Sequence, residues 1–174
     1  MRKAAASPVR VLIPSPIGML GVELTGSAVS RLCINPAETE RSAFTPLHQL
    51  DASDFLDEVF GRLSEYFAGA RRKLDLEYDL GPCGISGLAR RVLREAAKIP
   101  YGKTRTCHAL AEAMGSPDAG KMILKILLEN PIPIVIPCHR VVAGRSEIGV
   151  YVGGTESKLW LLELERREEE PEPA

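Results

Sequence analysis

Long apolar runs are missing from this chain. The opening MRKAAASPVRVLIPSP starts basic but has no continuous apolar segment of export-signal length, and no later window approaches a membrane span. Paired CxxC cysteines are missing too: Cys33, Cys83, Cys107 and Cys138 stand singly. Without an export signal they read as free thiols in a reducing compartment, which predicts a cytoplasmic protein and argues against a disulfide-stapled fold. No internal repeat is visible, so a solenoid or repeat array is set aside. Net charge is nearly absent as well, at −1.

What is present fits a globular protein: 174 residues, 45% apolar and 26% charged, enough for one ordinary domain or two small lobes. The near-zero net charge hides an asymmetry. Between Ser86 and Arg145 there are ten Lys or Arg against four acids, an excess of six positive charges that leaves seven negative ones on the remainder. A basic half suggests an anionic partner, although a solvated surface would look the same.

Residues 9–34 alternate as a β-meander: Val9, Val11 and Ile13, a PSPIG turn, Leu20, Val22 and Leu24, a TGSA turn, then Val29, Leu32 and Ile34. Asn35–Leu47 reads as a loop. Phe55, Val59, Leu63 and Phe67 recur at helical spacing, with Gly69 placed to end that helix. LDLEYDL, within the connection 71–82, alternates and is placed to pair with the sheet. A second helix is predicted from Ser86 to Ile99. Thr106 then caps a short helix that Gly115 ends, and Ser116 caps another, with Pro117 at its first position, reaching Leu128. Two helices joined by a Gly-Ser turn make a helix-turn-helix, and Arg105, Lys121 and Lys125 around it favour DNA over a plain helical hairpin. Thr155 opens a last helix, and the tail REEEPEPA is predicted to be disordered. The fold class is α/β (α+β): a small N-terminal β-meander-plus-helix lobe, and a mostly helical C-terminal lobe holding the helix-turn-helix and a strand that carries Cys138.

The chemistry centres on IVIPCHRVV, residues 134–142. A structural cysteine explains burial but not the imidazole and guanidinium beside it; a nucleophile explains all three. A thiol attacks as thiolate and needs a base or a positive field. In an extended strand Cys138 and His139 point to opposite faces, so they would communicate through a water or a turn. The imidazole needs an orienting carboxylate, with Glu163 and Glu165 as candidates, and Arg140 is placed to lock the loop by pairing with an acid. Two rival readings compete with the nucleophile. A zinc set from Cys107, His108, Cys138 and His139 suffers because neighbours in one element rarely reach one metal. A cysteine hydrolase needs a substrate groove that the sequence does not display.

NPIPIVIPCHRVV (Asn130–Val142) followed by GVYVGGTESKLWLLELE (Gly149–Glu165) closely resembles the O6-alkylguanine-DNA alkyltransferases, or methylated-DNA–protein-cysteine methyltransferases. SPIG at Ser15–Gly18, EYFAG at Glu65–Gly69, IPYGKT at Ile99–Thr104 and LAEAMGSPDAGK match in order. The resemblance implies an N-terminal αβ lobe over 1–82, ribonuclease-H-like in the family, a DNA-binding and alkyl-acceptor domain over 83–165, and the acidic tail 166–174. It implies a single-turnover repair protein that takes the alkyl group of O6-alkylguanine, and of O4-alkylthymine as a further substrate, onto Cys138. His139, through a water and with Glu165 behind it, would draw the thiol proton. Asn130 would be a hinge-like polar anchor. Tyr151, Val152, Gly153 and Gly154 would form the loop over the flipped base, fixed by Lys158. Cys107, Ala119, Gly120, Lys121, Lys125 and Arg140 would meet DNA, the helix from Pro117 lying in the minor groove. It implies a monomer on double-stranded DNA containing alkylated guanine, with no cofactor, metal or membrane, cytoplasmic and nucleoid-associated when on DNA.

Four departures from that family fall on the DNA side. Cys107 stands where a tyrosine helps rotate the nucleotide, and Lys121 where an arginine fills the gap left by the base. Met122, Leu124 and Lys125 occupy positions of small residues, and Leu88 and Leu93 replace an aromatic pair, a change expected to alter only how the core is filled. Lysine keeps the charge without the planar fork, and a thiol lacks a phenol's reach. A non-repairing sensor of alkylated DNA is therefore the runner-up, ahead of a transcription regulator, which would need a dimer and a palindromic site.

Overall fold

Alternation in the first third folds as expected. In the computed structural model, which describes residues 8–49, 54–144 and 147–167, β1 (Val9–Ser15), β2 (Gly18–Thr25) and β3 (Ala28–Ile34) form an antiparallel meander. The register sets Val11 opposite Val22 and Ile13 opposite Leu20, so both pairs share the buried face. The β1–β2 turn depends on Gly18, at φ +104°, where a Cβ would fall 1.9 Å from Asn35 Oδ1. Asn35 clamps that turn, accepting from Met19 N and donating to Ile17 O, both at 3.0 Å.

Two connections carry more structure than expected. Residues 35–47 are not simply a loop: they contain a short helix α1 (Glu38–Arg41) and a strand β4 (Thr45–Pro46), which pairs parallel to β1 and extends the sheet to the order β3-β2-β1-β4. Pro46 is tolerated there because this is an edge strand. The LDLEYDL segment buries Leu74, Leu76 and Leu80 and meets the sheet at one bridge, Val29 to Tyr78. The helix α2 (Asp54–Phe67) presents Leu56, Val59, Leu63 and Tyr66 to the core, a stripe rotated from the one expected through Phe55 and Phe67, both only half-buried. Gly69 at φ +78° follows its end.

The chain divides into two compact units, Met1–Gly84 and Ile85–Ala174. The second opens with α3 (Gly87–Ala97), whose N-cap Ser86 accepts from Ala89 N at 3.1 Å. Leu93 is buried in its core, but Leu88 is 37% exposed, so only one of the two leucines is core packing. β5 (Arg105–Thr106) leads into α4 (Cys107–Ala113), with Thr106 Oγ1 accepting from Ala109 N at 3.1 Å. Gly115, at φ +71°, makes the turn. Ser116 does not cap the next helix: it makes no capping hydrogen bond, and Pro117–Ala119 is a 3-10 turn before α5 (Gly120–Leu128).

The segment expected as a strand around Cys138 is not one. Prolines at 131, 133 and 137 remove ladder donors, Ile134 turns to φ +73°, and Cys138–Arg140 forms a 3-10 turn. Extended structure is limited to an isolated bridge, Pro133 to Ile136, and to β6 (Val141–Val142), parallel to β5. The chain then reaches α6 (Gly154–Arg167), whose buried residues are Ser157, Lys158, Leu161 and Glu165. A lysine and a glutamate on the buried side of a helix call for partners. The tail after Arg167 and residues 145–146 lie outside the described residues. No helix among those described is long and apolar enough to cross a membrane.

Candidate active site around Cys138

Those partners converge on the 3-10 turn. Cys138 is buried, and Asn130 Nδ2 donates both to its sulfur and to Ile136 O, each at 3.0 Å. Asn130 Oδ1 accepts from Ile132 N at 3.0 Å, so three contacts fix the amide's orientation. Burial pushes the Cys138 thiol up to about 11, while the Asn130 hydrogen bond and the Lys158 charge pull the other way. At neutral pH the sulfur therefore rests protonated and needs a base.

His139 is wholly buried, its Nε2 2.9 Å from Glu165 Oε1. Burial lowers its pKa, with the charges of Arg140 and Lys158 acting in the same direction against Glu165. The imidazole is thus neutral at pH 7. Burial pushes the Glu165 carboxyl up, but the hydrogen bonds and charges of His139 and Arg140 outweigh it and hold it at about 2. A carboxylate accepts only, so Nε2 carries the ring proton and Nδ1 keeps the lone pair. Nδ1 is buried without a protein hydrogen-bond partner among the described residues. This is a base whose lone pair is not consumed by the fold.

Glu165 is held on every side. Arg140 donates from Nε to Oε2 and from Nη2 to Oε1, both at 2.9 Å, and Gly102 N donates to Oε2 at 3.1 Å. Arg140 Nη1 reaches Ile99 O at 2.7 Å, and its guanidinium lies 5.7 Å from the Tyr101 ring centre. Arg140, expected among the DNA contacts, turns inward and is only 8% exposed. Of the two candidate carboxylates, Glu163 pairs instead with Arg166 and Arg167.

Sequence reasoning missed Tyr101 and the Gly102 N–H as parts of this site. The signal lay in PYG, where Gly102 at φ +73° aims its amide at Glu165. Lys158 Nζ donates to Val141 O at 2.7 Å and Val150 O at 3.1 Å, tying β6 to the 149–153 loop. In that loop Tyr151 is buried and edge-on to His139, with ring centres 6.1 Å apart, whereas Val152 is 39% exposed. Cys107, half-buried, heads α4; burial raises its pKa against the Lys158 charge. Lys121 and Lys125 are exposed on α5, and Ala119 and Gly120 are half-buried before them. The rival zinc set is not assembled: among the described residues no group of three or more His, Cys, Asp or Glu is placed to hold a metal ion.

Comparison with known proteins places this geometry. Residues 87–167 match the profile of the 6-O-methylguanine DNA methyltransferase DNA-binding domain. Over 154 residues the chain is 36% identical to the methylated-DNA–protein-cysteine methyltransferase of Mycobacterium leprae, covering 88% of this chain and 90% of the relative. The protein of that name from Methanosarcina acetivorans is 30% identical over 88% of this chain and 96% of its own length. Among solved structures, the Mycobacterium tuberculosis O6-methylguanine methyltransferase superposes with a TM-score of 0.79 at 33% identity, over 96% of this chain and 97% of that one. The M. tuberculosis OGT in complex with DNA superposes with a TM-score of 0.78 at 34% identity, over 91% and 93%.

Proposed function

The chain belongs to the methylated-DNA–protein-cysteine methyltransferases, and we propose that it repairs DNA by carrying the alkyl group of O6-alkylguanine, with O4-alkylthymine as a further substrate, irreversibly onto Cys138. One observation carries this reading: a thiol, a neutral imidazole with a spare lone pair and a carboxylate that fixes its tautomer are buried together. His139 Nδ1 takes the Cys138 proton through one water. Asn130 and Lys158 favour the thiolate that results. The sulfur attacks the alkyl carbon, the carbon–O6 bond breaks, and its electron pair stays on the guanine oxygen. The proton held by His139 is passed back to the leaving base. The S–alkyl thioether that forms is a stable product that holds no free thiol, so each chain acts once.

A thiol this deep cannot reach O6 inside a duplex, so the base must leave the stack. The helix-turn-helix α4–α5 would place α5 in the minor groove, in a monomer working in the cytoplasm and on the nucleoid. Incubation with duplex DNA carrying O6-methylguanine should add the mass of one methyl group per chain, and Cys138→Ala should add none. Lesion-selective binding with no mass change in the wild type would replace this reading with the sensor reading.

Lys121 and Lys125, four residues apart, share one face of α5. Lys125→Ala should weaken binding to all sequences alike and reduce the salt dependence by about one counterion. Lys121→Arg restores a planar fork and should speed transfer from duplex DNA while leaving transfer from the free base unchanged. Equal acceleration of both substrates, or of neither, would remove Lys121 from base extrusion.

A further inference from the structure

The approach to the sulfur is narrowed by side chains that are mostly apolar. Leu124, Leu127, Leu128, Val141, Val150 and Tyr151 line the space in front of Cys138, and the cavity they leave is about 10 Å³. That is room for about one water molecule. Leu127 and Val141 are buried in the core, but Leu124 and Leu128 are half-exposed one helical turn apart, and Val150 is 52% exposed. The loop bearing Val150 is tethered. Lys158 Nζ holds Val150 O, and Gly149 sits at φ +73°, where a Cβ would lie 3.1 Å from Ala143 Cβ. Gly154 N closes the far end onto Tyr151 O at 3.0 Å.

We propose that Leu124, Leu128 and Val150 are specificity-determining walls that sort alkyl groups by size at the sulfur. This rests on the alkyl-transfer reading above and deepens it. A purine reaches Cys138 only when these side chains rotate aside. A methyl carbon then needs little more space than the water-sized gap already there. A benzyl or branched alkyl group must hold the walls further apart against a loop fixed at both ends. The reaction itself is unchanged, with sulfur–carbon bond formation and carbon–O6 cleavage. What the walls set is which carbon can come within bonding distance.

The walls can be read without DNA. Full-length protein is treated with iodoacetamide and with its N-benzyl derivative, and the alkylation of each cysteine is followed by site-resolved mass spectrometry. The half-buried Cys107 serves as internal reference for the intrinsic reactivity of the two reagents. Cys138 should disfavour the benzyl reagent at least about 10-fold more than Cys107 does, the scale on which a tight apolar pocket discriminates. Leu124→Ala and Val150→Ala should each reduce that discrimination severalfold. Val150 is exposed, so its variant folds even where Leu124→Ala does not. The same relaxation is expected for transfer from free O6-benzylguanine relative to free O6-methylguanine. Unchanged discrimination in folded Val150→Ala and Leu124→Ala would overturn the proposal. Reagents sorted as expected, with no transfer from either base, would instead overturn the alkyl-transfer reading and leave the walls standing.

Discussion

Glu165→Gln is expected to slow alkylation of Cys138 by roughly 10²–10⁴-fold, the contribution of a positioned general base. The loss comes from a tautomer rather than from a missing contact. Glutamine can keep its amide oxygen toward the Arg140 guanidinium, which only donates. Its NH₂ group then faces His139 Nε2, where the carboxylate had accepted at 2.9 Å. Two donors cannot face each other, so the imidazole moves its proton to Nδ1 and loses the lone pair proposed to receive the thiol proton. The rate is measured by single-turnover mass spectrometry on protein shown by circular dichroism to be folded. A pH series distinguishes this cause from general damage. In the wild type, activity should hold at neutral pH and fall only where His139 protonates, below the ordinary histidine value. In the glutamine variant, raising the pH toward the thiol's own ionisation near 11 should recover the rate, because the base is no longer needed. A variant of near wild-type rate at pH 7 would remove Glu165 from proton transfer.

The fold class and the longer helices and strands were legible in the sequence, whereas what depends on backbone direction was left open or misjudged. The apolar run around Cys138 has the composition of a strand. Its three prolines and the left-handed Ile134 turn it into a 3-10 bend, so the alternation that separated Cys138 from His139 does not apply. Glu163 and Glu165 were equivalent on paper. A helical rotation of two residues sends one out to Arg166 and the other in to His139. Thr106 and Ser116 both read as caps, yet only Thr106 has the extended backbone that aims its oxygen at the following amides; Ser116 sits at ψ 66°. The closure over the sulfur was the least legible feature. It requires Val150 from a glycine-bounded loop and Leu124 and Leu128 from α5 to meet, and no local pattern announces that.

Arg140→Met should act on stability where Glu165→Gln acts on rate. Arg140 and Glu165 are 8% and 1% exposed, so removing the guanidinium leaves a buried carboxylate whose main counter-charge is gone. It also leaves Ile99 O without the 2.7 Å donor that satisfied it. Breaking a buried pair from one side costs about 3–5 kcal/mol, more than an equivalent apolar replacement of both partners would. The shift should appear as a lower denaturant midpoint with an unchanged slope. Methionine fills most of the stem's volume, so the loss is electrostatic rather than a cavity effect. The pH dependence follows from the same pair. Glu165, held near 2, contributes stability that is present above its unfolded value near 4.5 and is lost as the pH falls through 2. Without Arg140 its pKa rises toward the unfolded value, so the acid limb of the stability curve flattens. Burial is the main cause that lowers the His139 pKa, and the Arg140 charge adds to it. In Arg140→Met the histidine protonates at higher pH, and the acid edge of the rate profile moves up with it. At pH 8 the tautomer is still set by Glu165, so the variant, where folded, should transfer far faster than Glu165→Gln. A rate as low as that of Glu165→Gln at pH 8 would mean that Arg140 itself takes part in proton transfer. An unshifted acid edge would mean that its charge does not reach His139.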